Sequence, residues 1–329
     1  MITATLLTNN YFSTNKTVQT MRSQTTSNIL MIRPVRFGFN EQTAESNAFQ
    51  DKAFGQQTQE TAQTQALQEF DEMVARLRKH GVNVIVVDDT PEPHTPDSIF
   101  PNNWVSFHYN GTVIEYPMQA PNRRLERRQD IISLLEKDFY INRRIDLSNF
   151  EEKGEFLEGT GSMVLDRKFK IAYACISPRT HESVLNEFGI QMNYESVKFT
   201  AVDGAGKQIY HTNVLMCIGD MFAVICLEAI PDLDERLNVR NSLESSGKQV
   251  IEITLDQMNQ FAGNMLEIRS EKGDRYLVMS DAAYYSLTQA QTKILGDYCT
   301  ILHFDLSMIE GNGGGSARCM MAEVHLPMK

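Results

Sequence analysis

Apolar residues along this chain come in short runs, and their period changes from one segment to the next. Ile29-Leu30-Met31-Ile32 is a continuous apolar run ended by Pro34, the pattern of a buried strand. From Gln65 to Lys79 the period becomes helical. Leu67, Phe70, Met73, Val74 and Leu77 share one face, and Gly81 supplies a stop. Val82 to Val87 returns to strand character, so the class is α/β. The alternation continues downstream. A hairpin over 104–116 turns at Asn110-Gly111, and a helix follows over 122–139. Strand pairs are predicted over 162–174, 212–227 and 264–279, with helices over 181–189, 234–246 and 288–298. A last apolar segment covers 316–326. Residues 40–60 are polar and Gln-rich and read as a surface loop.

The alternation has a countable period. Each first strand is entered by a small or polar residue: Asn103, Ser162, Asn213, Asn264 and Ser316. The intervals are 59, 51, 51 and 52 residues. Five units with two strands each, most with a helix, predict a closed repeat architecture. The period also relates polar residues that are far apart in sequence. Asp97, Glu158 and His211 stand just before their own anchors, and Cys319 just after its anchor. If five units surround an axis, all four converge on one central pocket.

Composition narrows the classes. The chain has 329 residues, 42% hydrophobic and 22% charged, as expected of a globular protein. Its net charge of −11 argues against nucleic acid or an anionic membrane as partner. No apolar run reaches the roughly 18 residues of a membrane helix. The five cysteines form no CxxC pair, which favours a reducing compartment, the cytoplasm, over a disulfide framework. The histidines lack HxxxH or HxH spacing, so no metal site is expected. Residues 1–28 carry no acidic residue and read as a disordered extension to a single domain over 29–329. Met21 is an alternative start.

The candidate residues each admit a plain structural reading. A lone cysteine packs as a small hydrophobe. Yet Gly311-Asn312-Gly313-Gly314-Gly315 precedes Cys319 and Arg318 adjoins it, a setting that also suits a nucleophile presented at the start of a strand. His211 is either a hydrogen-bonded structural residue or an acid/base; His303 is its rival. The remaining histidines, His108 and His325 among them, read as surface or turn residues. Glu158 in EGTG reads, on its own, as a turn with a solvated carboxylate. Asp97 caps a turn or binds substrate. The arginines at 123, 124, 127 and 128 form, as a group, a solvated helix face.

The segments PDSIFPNNW, FLEGTGSMVLD, YHTNVLMC and GGGSARCM together resemble the guanidine-modifying pentein superfamily over residues 28–329. That superfamily includes arginine deiminase, dimethylarginine dimethylaminohydrolase and the amidinotransferases, and the closest likeness is to the bacterial citrulline-utilisation hydrolase group. The resemblance implies a five-bladed pseudo-symmetric α/β propeller of ββαβ-type repeats. It implies a cofactor-free hydrolase of guanidino or ureido C–N bonds in arginine- or citrulline-like amino acids. Cys319 would attack the central carbon, His211 would protonate the leaving amine and then activate water, Glu158 would orient His211 and hold a substrate N–H, and Asp97 would hold another. Arg179 in SPRT and Arg123 or Arg124 in APNRR resemble segments that hold an α-carboxylate, which suits the guanidinium fork. The chain departs from relatives by placing Asn213 after the histidine, and Asn102 and Asn103 after Asp97, where they carry acids. Amides both donate and accept, which suits a neutral ureido group as well as a guanidinium. An amidinotransferase and a non-catalytic binding pentein are the alternatives, and a homo-oligomer is left open.

Overall fold

The computed structural model describes residues 23–44, 47, 49–50 and 58–329. Most of the expected N-terminal extension, residues 1–22, lies outside the described residues. Its last residues belong to the fold: Gln24, Thr25 and Thr26 are buried, and Gln24 donates to the carbonyls of Leu165 and Ile218.

Among the described residues fifteen strands form five three-stranded sheets. In chain order they are β1 (Asn28–Arg33), β2 (Asn83–Asp88), β3 (Val105–Phe107), β4 (Thr112–Glu115) and β5 (Arg143–Asp146). Next come β6 (Val164–Asp166), β7 (Ile171–Cys175), β8 (Glu195–Phe199), β9 (Met216–Ile218) and β10 (Phe222–Ile225). The last are β11 (Gln249–Glu252), β12 (Leu266–Arg269), β13 (Arg275–Ser280), β14 (Thr300–Phe304) and β15 (Ala322–Glu323). The sheets are β15-β1-β2, β3-β4-β5, β6-β7-β8, β9-β10-β11 and β12-β13-β14.

Every sheet obeys one rule: the first two strands pair antiparallel and the third joins the second in parallel. A parallel neighbour needs a long crossover, and the helix of each unit supplies it. The result is the five-bladed pseudo-symmetric α/β propeller. The repeat count of two strands per unit missed β5, β8, β11 and β14. These third strands are short and half-exposed, and they show no continuous apolar run. The first blade is assembled from both chain ends: Leu30 in β1 faces Ala322 in β15, and Asn28 faces Asn83 in β2.

The helix predicted from Gln65 begins earlier, at Gln59, where Thr58 caps it by accepting from the Thr61 N–H. Its apolar face packs Phe70, Met73 and Leu77 against Ile29, Met31 and Val84. In the fourth blade Val239 and Leu243 of the helix Leu233–Ser245 cover Phe222 and Val224 in the same way. The helix predicted over 122–139 is instead a single turn, Pro121–Arg124, and a helix, Gln129–Leu135. Of the surface loop expected over 40–60, residues 45, 46, 48 and 51–57 lie outside the described residues; within the described part Glu41 and Gln42 are exposed, but Asn40, Thr43, Asn47 and Gln50 are buried.

The anchors of the sequence repeat form the inner ring. Thr160 Oγ1 donates to the Asn102 carbonyl (3.2 Å) and Thr212 Oγ1 to the Ser162 carbonyl (2.6 Å). Asn264 Nδ2 donates to the Asn213 carbonyl (3.1 Å), and the Arg318 N–H to Asn264 Oδ1 (3.0 Å). Each bond joins one blade to the next, so buried backbone groups at the axis find partners across the ring. Close approach here requires glycine. A Cβ at Gly263 would run into the Val214 carbonyl oxygen and stand 2.7 Å from Leu215 C. Gly263→Ala is therefore expected to cost at least about 2 kcal/mol in urea unfolding, as overpacking against fixed backbone does. Gly204→Ala, which meets nothing within 4 Å, is expected to stay within about 0.5 kcal/mol of the parent.

Candidate active site

The inner turns open onto one narrow cavity, lined in part by Asp97, Asn103, Arg123, Arg179, His211, Asn213, Asn264 and Cys319. The convergence expected from the repeat is thus present for Asp97, His211 and Cys319. Glu158 lies one layer deeper, behind His211.

His211 precedes a short helical turn, Thr212–Leu215, and its ring is packed against Tyr210. Its Nε2 lies 2.7 Å from Glu158 Oε2. Burial drives the ring down to about 4, although the bond to Glu158 pulls the other way, so His211 is a neutral base at pH 7. Its Nδ1 side stays open because residue 161 is glycine; a Cβ there would stand 2.9 Å from Nδ1. Glu158 is fully buried, and burial would raise it. The Arg179 guanidinium, His211 and Arg123 outweigh that effect and hold its carboxyl well below the usual carboxylate range. Its other oxygen accepts the Gln119 N–H at 3.0 Å.

Asp97 is buried and accepts from Asn40 Nδ2 at 2.6 Å. Burial raises its carboxyl, and Arg123 opposes the rise. Asp97 Oδ1, Asn103 Nδ2 and Asn213 Oδ1 are buried and find no partner among the described residues. Two acceptors and a donor are therefore available to a ligand, and leaving them unpaired is costly.

The Cys319 thiol receives two hydrogen bonds, from Asn213 Nδ2 (3.3 Å) and Asn264 Nδ2 (3.2 Å). The glycine-rich segment preceding it is not all loop. Ser307–Gly313 is helical, and Gly314 ends the helix at φ 63°. Nor does Cys319 begin a strand; it sits in a turn three residues before β15. Arg318 points away from the thiol, donating to the Met321 carbonyl and to Glu323.

The arginines divide. Arg123 is buried in the cavity wall, where it grips Glu126 through Nε (2.8 Å) and Nη2 (3.0 Å) and donates to Asn103 Oδ1 (3.0 Å). Arg179 is buried, lies over the Tyr210 ring at 4.6 Å and donates to Glu158 Oε2 (3.4 Å). Arg124 does not line the cavity. It bonds the Met118 and Gln119 carbonyls and pairs with Glu151, so the substrate role expected for it is not supported by its position. His303 pairs with Asp281 and stacks on Tyr284, away from the cavity lining. His108 is buried and His325 half-buried with its ring turned inward, bonded to Ser106 and Glu323 respectively.

Four contributors went unread in the sequence. Asn40 holds Asp97. Asn47 accepts from the Tyr210 hydroxyl at 2.8 Å and donates to the Gly313 carbonyl at 3.0 Å. Glu126 neutralises Arg123. Asn264 was legible only as a repeat anchor, and Glu126 only as the acid three residues after Arg123. Among the described residues no group of three or more His, Cys, Asp or Glu side chains is placed to hold a metal ion.

A five-bladed propeller with a thiol, a His–Glu pair and buried carboxylate and amide groups on its axis defines the guanidine-modifying penteins. A family model of eukaryotic N,N dimethylarginine dimethylhydrolase matches residues 33–326, and the chain belongs to that family. No curated protein matches. Among solved structures, the N-terminal domain of the cyanobacterial arginine dihydrolase ArgZ, covalently bound to a reaction intermediate, is similar at 16% identity and TM-score 0.71, covering 91% of this chain and 98% of that one. This chain spans only 41% of full-length ArgZ. The dimethylarginine dimethylaminohydrolase of Pseudomonas aeruginosa, a cysteine-to-serine mutant bound to citrulline, is similar at 15% identity and TM-score 0.64, covering 92% and 99%.

His211 supplies a direct test of the site's electrostatics. NMR titration of the free protein is expected to place its ring near pH 4, and lower in Glu158→Gln, because the carboxylate supports the protonated form. Between about pH 6.5 and 4 the unfolded ring binds a proton that the native ring does not. The wild type should therefore lose stability relative to His211→Gln as pH falls through that window. A ring titrating near 6.5 would show that the site is open to water.

Proposed function

We propose that this protein is a cysteine-dependent hydrolase that cleaves a C–N bond in the guanidino or ureido group of an arginine- or citrulline-like amino acid. The observation that carries the reading is the meeting, in one buried cavity, of an amide-held thiol, a neutral histidine backed by a carboxylate, and partnerless acceptors on Asp97 and Asn213. Family membership supports it, as do relatives described as arginine dihydrolases and dimethylarginine dimethylaminohydrolases.

The groups divide the reaction as follows. Asp97 Oδ1 and Asn213 Oδ1 accept substrate N–H groups and fix the planar carbon against Sγ. The thiol proton passes to neutral His211 as Sγ adds to the carbon, giving a tetrahedral adduct. His211 returns that proton to the departing amine, leaving on Cys319 a thiouronium from a guanidino group or a thiocarbamate from a ureido group. In the second half His211 removes a proton from water, hydroxide adds to the carbon, and the thiolate leaves and is reprotonated. Glu158 holds the imidazole and stabilises its charged form at each transfer. Arg179 and Arg123 supply positive charge on the cavity wall for a substrate carboxylate. Neither half requires a cofactor. The five cysteines are free and buried, which suits a reducing compartment, and we assign the cytoplasm. None of the described helices is long and apolar enough to cross a membrane.

Acid-quenched intact-mass spectra after brief incubation with arginine, citrulline or N,N-dimethylarginine test this reading. One of the three is expected to leave an adduct on Cys319 and to release amine. Cys319→Ser should lose the adduct and at least about 10³-fold of the rate, and His211→Gln about 10²- to 10⁴-fold. Turnover retained in Cys319→Ser would sink the proposal. An adduct discharged only by an added amine would replace hydrolysis with amidino transfer.

A further inference from the structure

One amide beside the cavity governs what a carboxylate there can do, and it comes from a segment outside every sequence motif. Asn40 lies between β1 and the helix Gln59–Lys79 and is 2% exposed. Its Oδ1 accepts the Gln42 backbone N–H at 3.1 Å, closing a local turn, and Asn122 Nδ2 at 2.9 Å. A backbone N–H can only donate, so Oδ1 is fixed on that side and Nδ2 on the other. Nδ2 donates to Asp97 Oδ2 at 2.6 Å. Rotating the amide would set Oδ1 against a carboxylate oxygen and Nδ2 against the Gln42 N–H. Asn40 is therefore a donor of one orientation. It occupies Oδ2 of Asp97 and leaves Oδ1 as the buried oxygen with no partner among the described residues.

The charged neighbours of Asp97 do not fix it in this way. Arg123 Nε stands 3.7 Å from Oδ2, beyond hydrogen-bond range, and is taken by Glu126 at 2.8 Å. Arg179 attracts Asp97 only through its charge and pairs with Glu158, whose own charge repels it. Tyr210 faces Asp97 too, with its hydroxyl given to Asn47. Among the described residues, Asn40 is the one side chain that hydrogen-bonds the Asp97 carboxylate. A donor facing Oδ2 leaves no room for a proton there, and a proton on Oδ1 would take the acceptor out of the cavity. We propose that Asn40 is a positioning residue for substrate binding: it fixes which Asp97 oxygen faces the cavity and keeps that oxygen an acceptor. The inference rests on Asp97 receiving a substrate N–H. It dictates the result of a swap. In Asp97→Asn, Asn40 draws the amide oxygen of position 97 to itself and turns the NH₂ group into the cavity. Asn40→Asp alone sets two carboxylates against each other. In the double variant the carboxylate at position 40 takes that NH₂ group, its other oxygen keeps the Gln42 N–H, and the amide oxygen at position 97 faces the cavity again.

With the substrate identified by mass spectrometry, Asp97→Asn is expected to lower kcat/KM at least about 10²-fold and Asn40→Asp at least about tenfold. The double variant Asn40→Asp/Asp97→Asn should exceed Asp97→Asn by at least about tenfold. A residue that only shapes its turn gives losses that add, so a double variant no faster than Asp97→Asn would overturn the proposal. A second measurement needs no substrate and is judged separately from the hydrolase reading. Carboxyl resonances of the full chain labelled with ¹³C-aspartate are followed against pH, and Asp97 is identified by its loss in Asp97→Asn. A hydrogen bond to the charged form favours that form, so the Asp97 midpoint should rise by at least about half a pH unit in Asn40→Ala. A midpoint that stays in place would overturn the assignment, whatever happens to turnover. Should Asn40→Ala fail to fold, the unmutated protein answers: the Asn40 side-chain amide proton, observed with ¹⁵N-asparagine labelling, should move upfield as Asp97 takes up its proton. A resonance indifferent to that titration would also overturn it.

Discussion

The whole site depends on closure of the ring by its two chain ends. β15 pairs with β1 through Leu30 and Ala322, which are nearly the full chain length apart. Cys319 lies three residues before that strand, in a turn whose Arg318 N–H is tied to Asn264 in the preceding blade. Cys319 thus occupies its place only when the last segment has docked between the first blade and the fifth. Such pairing yields nothing until a very long loop has been closed. Once made, it leaves Cys319 with little freedom, which suits the attack on a planar carbon proposed for it.

Electrostatic balance is the second constraint. Glu158, Asp97, Glu126, Arg123 and Arg179 are all buried around one small cavity, where an uncompensated charge would be costly. Each is matched. Glu126 and Arg123 form a two-point pair, and Glu158 is shared by His211 and Arg179. Asp97 is held by an amide and lies 3.7 Å from Arg123 Nε. With its cations already matched, the site keeps His211 neutral and able to accept the thiol proton. In the proposed reaction that neutral ring takes the first proton.

Amides take much of the work that charged groups could do. Asn40, Asn47, Asn103, Asn213 and Asn264 bind to carboxylate, backbone, arginine and sulfur. An amide donates and accepts without adding charge, so several can crowd a cavity that already holds two arginines. The same property leaves the substrate side of the site able to face a guanidinium or a ureido group.

Much of this was legible from sequence. The anchors from Asn103 to Ser316 predicted five units, and the motifs around Asp97, Glu158, His211 and Cys319 pointed to one pocket, because repeated local patterns and short motifs survive in one dimension. The third strands were not legible in that count, being short and half-exposed. Nor was the burial of Asn40 and Asn47, since a polar run looks the same whether it meets water or a buried carboxylate. Arg123 and Arg124 are adjacent in one motif, yet only Arg123 turns inward, a choice made by the helical turn and by Glu126. By itself the sequence determined the repeat, the α/β class and the chemical groups on hand. The tertiary structure alone decided which other groups touch: that Asn40 holds Asp97, and that Asn264 rather than Arg318 reaches the thiol. Those contacts join residues of different blades, and their geometry exists only once the ring is closed.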